Sequence, residues 1–498
     1  MKTIKIISLI TIVFWANSCK DFDELQNDPN RTSQTHPGLL LTNIEAAVDP
    51  GTQGNEVIST FNVVNVNAML ASRMIIFTDG AAVEQYYNWQ RNNFDRYNTL
   101  RQIAKMEEEA DRLKLENYKH LALFLSSVHI LELSKTFGDV PYSESLKTDE
   151  DIYKPTYDNQ EDIYIKVLDD LKAASTSLDQ SLGDITGDVV YGGDIDKWKK
   201  LINSYSLRVL ISLSAKTGNA KLNVVGRFKE IVDNPDQYPI FMSNEDNGAL
   251  HFYDLVNNRY PYFNNNNFKT AYYMEESFVD LLKARQDPRL FTFADPKPQG
   301  AALPETDFDA YGGVGGSDPL ADNTTRVVNG EASRADERYY LDPVNEPSVL
   351  MGYAELEFTL AEAAARGWIT DDPKEHYENG IRASFDFYGI SSDEQDAYLL
   401  EPEVVYNPAK AIEMIITQKY INFFMNGGWE AFYNNLRTGF PKFDVDGGGV
   451  LNNGQVPKRW MYPQDELNLN TENVEAAVSR QYAGDDDING VMWLLKTE

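Results

Sequence analysis

Hydrophobic positions recur at steps of three and four through several long stretches of the chain. In Tyr118 to Phe137, Leu121, Leu125, Val128 and Leu131 fall on one helical face. Ile163, Val167, Leu171, Ala174 and Leu178 repeat the pattern. So do Val349, Tyr353, Leu356, Leu360 and Ala363, and later Ile412, Ile416, Tyr420 and Phe423. A helix with one apolar face has to bury that face on a neighbour. Strict alternation of apolar and polar residues, the mark of half-buried strands, is sparse. The pattern predicts a mainly α protein of packed helix pairs. No exact short repeat is visible, which leaves room for degenerate helix-pair repeats.

Between the periodic stretches lie long irregular ones. Residues from about 235 to 347 and from 437 to 470 are dense in Pro, Gly, Asp and Asn, and include YGGVGGSDP (Tyr311 to Pro319). Loops longer than about 12–15 residues inside compact proteins are usually functional or disordered. The expectation is one domain over 39–498, with a helical scaffold and a loop-rich insertion bearing the ligand face.

The N-terminus follows different rules. Met1 to Lys5 carries positive charge, and Ile6 to Phe14 is apolar apart from Ser8 and Thr11. That stretch is too short to span a bilayer, which takes about 20 residues, and fits a secretory h-region of about 7–15. Small Ala16 and Ser18 lead to Cys19, the one cysteine in 498 residues. A lone thiol makes neither an internal disulfide nor a cysteine metal site. The segment looks like a lipoprotein signal over 1–18, with an acylated Cys19 inserted in a lipid bilayer. Each acyl CH₂ buried in lipid contributes about 0.8 kcal/mol, so two or more chains anchor a protein stably. Residues 19–38, broken by Pro29, Pro37 and Gly38, read as a flexible tether.

A net charge of −32, from 45 basic and 77 acidic residues, argues against nucleic acid as a partner, because that affinity rests on Lys and Arg neutralising phosphates. The five histidines (His36, His120, His129, His251 and His376) show no HExxH spacing, and no P-loop or G-x-S-x-G elbow is present. DVDGGG (Asp444 to Gly449) matches the first positions of a calcium loop but lacks the later bidentate Glu. No metal, cofactor or catalytic residue is expected.

Six stretches combine into a larger pattern: KTFGDVPYSES (Lys135 to Ser145), RQDPRL (Arg285 to Leu290), YAELEFTLAEAAARGW (Tyr353 to Trp368), YENGIRASFDFYG (Tyr377 to Gly389), ITQKYINFFMNGGWEAFYNNLRTGFP (Ile416 to Pro441) and VPKRWMYPQDELNLN (Val456 to Asn470). In this order, behind a lipoprotein-like signal, they resemble the SusD/RagB-like outer-membrane lipoproteins, closest to the nutrient-binding branch. The resemblance runs from Cys19 to Trp493. It implies four tetratricopeptide-type helix pairs supporting an irregular ligand region. It also implies a place at the cell exterior as a lid over a SusC-type TonB-dependent transporter, capturing oligosaccharides or, in some members, peptides, without catalysis. Asp21, Asp23 and Glu24 resemble the signal that sends such proteins to the outer face, although Phe22 interrupts the acidic run. A surface-anchored hydrolase is the reading from a different class.

Sugar binding uses aromatic faces for the C–H faces of the ring and amide, carboxylate or guanidinium groups for the hydroxyls. Of the seven Trp residues, only Trp89 stands in a polar stretch, EQYYNWQRNNFDRYN, together with Tyr86, Tyr87, Gln90, Arg91, Asn92 and Asn93. Trp198, Trp368, Trp429, Trp460 and Trp493 read as packing. A second candidate is NNRYPYFNNNNFKTAYY, in which Tyr260, Tyr262 and Phe263 precede four consecutive asparagines. In both stretches the competing reading is a loop that packs on the scaffold or is simply solvated.

Overall fold

The computed structural model describes residues 34–47 and 57–497. The signal segment, Cys19 and the tether as far as residue 33 lie outside the described residues. The first helix, α1, spans Pro37–Ala46, so Pro37 and Gly38 belong to it and not to the tether. Proline's fixed φ suits the first helical position, and His36 Nδ1 accepts the Gly38 N–H at 3.1 Å. A Cβ on Gly38 would sit 2.4 Å from the Thr186 carbonyl oxygen, so this approach requires glycine.

Four antiparallel pairs follow: α2 (Arg96–Leu113) with α3 (Glu116–Phe137), α4 (Gln160–Ser177) with α5 (Ile195–Ser212), α6 (Tyr353–Ala365) with α7 (Pro373–Phe387), and α8 (Ala411–Asn422) with α9 (Glu430–Thr438). Helix α3 also packs on α4, α5 on α6, and α6 on α8. The mainly α scaffold of tetratricopeptide-type pairs is therefore what the chain adopts. The predicted stripes face inward: Leu121, Leu125, Ile163, Val167, Leu171, Leu356 and Ala363 are fully buried. His129 packs as well, with Nε2 3.0 Å from Thr60 Oγ1 and Nδ1 3.2 Å from Arg96 Nη1. Burial and the Arg96 charge pull its pKa well below the usual range, so it is neutral.

The helical pattern over Val349 needs correction. Four short strands occur among the described residues: β1 (Ile75–Phe77), β2 (Gly248–Leu250), β3 (Tyr272–Met274) and β4 (Ser348–Met351). Val349 pairs with Ala249 in the antiparallel β2–β4 ribbon, and helix α6 starts only after Gly352. Distant pairing with β2 outweighs the local period here. In the second ribbon, β1 runs antiparallel to β3, with Phe77 opposite Tyr272.

The pairs are locked together by buried charge. Arg208 of α5 forks onto Glu355 of α6 and also donates to the Leu350 carbonyl at 2.6 Å. Lys419 of α8, 1 % exposed, lies 3.5 Å from the same Glu355 and 3.0 Å from Thr359 Oγ1. Arg437 of α9 reaches both oxygens of Glu362 at 2.5 and 2.8 Å, and Arg366 adds a contact at 2.8 Å. Burial pushes the Glu362 carboxyl up, but Arg437 and Arg366 outweigh that and hold it at about 2. RQDPRL ties the insertion to this scaffold. Its buried Arg289–Asp287 pair also bonds Ser384 of α7 at 2.9 Å and Gln418 of α8 at 2.7 Å.

Glu362→Gln leaves two arginines facing a neutral amide, and breaking a buried pair in this way costs about 3–5 kcal/mol. Denaturant titration is expected to show a loss of that size. Because the folded carboxyl is held below its ordinary value, its stabilising contribution is complete above about pH 4.5 and fades as pH falls towards 2. The deficit of the variant relative to wild type should shrink over that interval.

Candidate ligand face

A single guanidinium organises the loops beside β1. Arg73, 1 % exposed, donates to three carbonyls: Asp444 at 3.1 Å, Gln85 at 2.5 Å and Gly316 at 3.3 Å. Its plane lies 4.3 Å from the centre of the Tyr87 ring. Two of these loops, those of Gly316 and Asp444, are stapled again through Ser317, whose hydroxyl donates to Asp444 and accepts the Gly447 N–H at 3.1 Å. A Cβ on Gly447 would meet Asp318 Oδ1 at 2.3 Å. DVDGGG is thus a loop-to-loop clamp, and no cluster of three or more metal-ligating side chains exists among the described residues.

This clamp fixes the predicted EQYYNWQRNN stretch with its rings inward. Trp89, 1 % exposed, stacks on Trp460 with centroids 3.8 Å apart and planes 14° from parallel. Trp429, Phe432 and Tyr87 pack around its edges. Tyr86 and Tyr87 are buried as well, and the Tyr87 hydroxyl donates to the Ala71 carbonyl at 2.8 Å. The platform expected from Tyr86, Tyr87 and Trp89 is therefore corrected: protein covers these rings, because buried aromatic surface is worth more in the core than in water. Arg91 is part-exposed but engaged, with Nη1 2.5 Å from Asp486 and 2.8 Å from the Tyr462 carbonyl. Asn92 and Asn93 remain exposed at the edge.

In the second predicted stretch, Tyr260 is 1 % exposed and belongs to the core. Tyr262 is part-exposed, yet its hydroxyl accepts the Val66 N–H at 2.7 Å. Phe263 lies part-exposed beneath Arg259, whose guanidinium is 5.1 Å from the ring centre. Of the asparagines, Asn265 caps the short helix Asn266–Thr270, its Oδ1 accepting the N–H groups of Asn267 and Phe268. Asn264, Asn266 and Asn267 stay exposed.

Sequence reasoning passed over an aromatic pair that reaches solvent. Phe77 and Tyr272, directly opposed across β1 and β3, are both part-exposed, with ring centroids 5.0 Å apart at 42°. Tyr272 leans on buried Phe268 at 4.9 Å, which leans on Tyr262 at 4.7 Å, so the row of rings is backed by the core. Burial, and then the Glu84 carboxylate, raise the Tyr272 hydroxyl above its usual range. Of the exposed asparagines, Asn267 acts on the Tyr272 hydroxyl.

A larger concavity lies on the insertion. About 720 Å³ is enclosed by walls that include Phe291, Asp295, Glu305, Tyr311, Asp336 and Glu337. Burial and the neighbouring Asp336 carboxylate push Asp295 up to about 6. Tyr340, 6.0 Å from Lys269, feels the charges of Asp295 and Glu337.

A family model named SusD-like, described as starch-binding and associating with the outer membrane, matches residues 29–463. No curated protein matches. The chain is similar to an outer-membrane protein of Bacteroides vulgatus ATCC 8482 described in connection with nutrient binding, at 37 % identity and a TM-score of 0.85 over 93 % of this chain and 100 % of that one. It is also similar to a SusD homologue of Bacteroides fragilis NCTC 9343, at 38 % identity and 0.84 over the same shares. A structure described as a chitin-binding protein matches at 26 % identity and 0.73, again over 93 % and 100 %.

Arg73→Lys keeps the charge but loses the planar fork that serves three carbonyls. It is expected to destabilise the protein by about 1–3 kcal/mol. Amide exchange should speed up in residues 313–318 and 444–449 more than in helices α2 to α5. Uniform exchange across the chain would show that the fork does not organise these loops.

Proposed function

Because the chain belongs to the SusD-like family, described as starch-binding and associating with the outer membrane, we propose that it is a lipid-anchored surface protein that captures an oligosaccharide and passes it to a SusC-type TonB-dependent transporter. The observation that carries this reading is the Phe77–Tyr272 pair, two part-exposed rings with the exposed Asn267 amide acting on the Tyr272 hydroxyl. Ring faces of this kind take the C–H face of a sugar, and amides serve its hydroxyls. The chitin-binding match supports a glycan as the ligand class. Attachment through an acylated Cys19 agrees with the family's association with the outer membrane. No helix among the described residues is long and apolar enough to cross a membrane. The protein binds its ligand without cleaving it.

A basic peptide is the second reading. The observation favouring it is the insertion cavity, where Asp295, Asp336, Glu305 and Glu337 form no ion pairs among the described residues.

Calorimetry against neutral oligosaccharides is expected to show weakening of about tenfold or more for Tyr272→Ala, equivalent to about 1.4 kcal/mol. Binding unchanged by both Tyr272→Ala and Phe77→Ala would remove this face from the mechanism. Peptide binding with no oligosaccharide binding would select the second reading, and release of reducing sugar would overturn the binding-protein assignment. Cys19→Ala is expected to move the protein from the membrane to the soluble fraction, and a barrel protein should co-purify with wild type.

A further inference from the structure

Helix α1 precedes the four pairs in the chain, and one of its faces meets a single turn. Gly38, Thr42 and Glu45 are spaced by four and three residues, so they share that face. Gly38 packs on the Thr186 carbonyl, the Thr42 hydroxyl donates to the Gly187 carbonyl at 2.5 Å, and Glu45 Oε2 accepts the Val189 N–H at 2.8 Å. Asp188 fastens the same turn to α5. Its Oδ1 accepts the Val190 and Tyr191 N–H groups at 2.8 and 3.0 Å. Its Oδ2 accepts the Gly193 N–H at 2.7 Å and the Trp198 Nε1–H at 2.8 Å.

Two acids therefore sit on consecutive N–H groups of one turn, Glu45 on Val189 and Asp188 on Val190. Glu45 is fully buried, and Asp188 is 8 % exposed. Of the titratable groups on α2, α5 and the turn, Asp188 is the one that acts on Glu45. Lys105 and Arg112 of α2 are turned to Glu109, at 2.9 and 2.6 Å. On α5, Lys197 donates to the Glu245 carbonyl at 3.0 Å, Lys199 acts on Asp179, and Lys200 pairs with Asp246 at 2.9 Å. The Tyr191 hydroxyl donates to the Asp246 carbonyl at 2.7 Å. The segment Ile58 to Asn62, which covers the end of α1, has no titratable side chain.

With both acids ionised, Glu45 Oε1 is buried and has no donor, and the two charges repel in a medium that screens them poorly. A calcium-like ion takes six to eight oxygen ligands, whereas no cluster of three or more metal-ligating side chains exists among the described residues. A proton on Glu45 removes the repulsion and turns the orphaned oxygen into an O–H for Asp188. Burial, and then the Asp188 charge, push the Glu45 carboxyl well above its usual range, in agreement with that form.

We propose that Glu45 and Asp188 hold one proton between them, and that this proton latches α1 to the 186–193 turn. The latch is a pH-sensitive device, and its sign is opposite to that of Glu362. An acid raised in the folded state contributes its full stabilisation below its ordinary value of about 4.5, and loses it as pH rises through the raised value. Base therefore frees α1 from the turn. The ligand that the protein takes has no part in this.

The test is amide exchange and thermal unfolding of the full chain from about pH 5 to about pH 9, for wild type and Glu45→Gln. In the variant an amide N–H permanently replaces the acid O–H. Wild-type protection of residues 37–46 and 186–193, corrected for intrinsic exchange, is expected to fall by up to about tenfold per pH unit, the limit for release of one proton. Helices α3 and α4 should hold. Glu45→Gln should show flat protection, with a thermal midpoint at the alkaline end equal to or above that of wild type. Infrared difference spectra at neutral pH should show a protonated carboxyl C=O band in wild type that the variant lacks. If wild-type protection of α1 does not change with pH relative to α3 and α4, the latch is overturned, whether or not the variant folds. If Glu45→Gln keeps the wild-type pH dependence, or the band is missing, Glu45 does not carry the proton. If calcium or potassium chloride raises the alkaline midpoint of wild type but not of Glu45→Gln, a metal ion holds the pair and the proton assignment is wrong.

Discussion

The loops beside β1 depend on one buried cation, Arg73. Its guanidinium donates to carbonyls from three loops that are far apart in the chain, at residues 85, 316 and 444. Only a planar group with several fixed donors serves three acceptors at once without water. Loops rich in Gly and Asp have little apolar surface to bury, so their order has to come from directional bonds. The adjoining strand β1 is placed by the same contacts, together with the Tyr420 hydroxyl of α8, which donates to the Ser72 and Arg73 carbonyls at 2.8 and 2.9 Å. Scaffold, strand and loops therefore meet at one residue.

The helical scaffold solves a related problem by different means. Paired helices of this kind could slide past one another if held only by aliphatic contacts, which are not directional. The buried sequence of Arg208, Glu355, Lys419, Glu362 and Arg437 crosses α5, α6, α8 and α9. Buried ion pairs add little net stability over well-packed apolar groups, because desolvation offsets the attraction. They do penalise any register that leaves a charge unpaired. A rigid frame then allows the irregular insertion to keep its shape, with RQDPRL as the joint between the two.

What was legible in the chain follows from the range of the interactions. The helices showed because a 3.6-residue period is local: Leu121, Leu125, Val128 and Leu131 report their shared face without reference to anything distant. Val349 was misread for the complementary reason, since its partner Ala249 is remote. Trp89 looked like a surface ring because its neighbours are polar, yet in a loop polar neighbours do not reveal which way a ring turns. Its true surroundings are Trp429 and Trp460, brought in from the far end of the chain. The pairing of Phe77 with Tyr272 left no signal, although Tyr272 lies in the second predicted stretch, because three-residue strands are too short to show alternation.

The β1–β3 ribbon joins segments 193 residues apart, as the bond from Thr78 to the Ala271 carbonyl shows. Contacts of such long range form late, since the entropy of closing the intervening loop has to be met first. The two rings consequently become neighbours only once that long intervening loop has closed. The same arrangement divides the face between two independent stretches of sequence. Each ring can be exchanged by a change in its own strand, while the helical frame that separates them is left untouched.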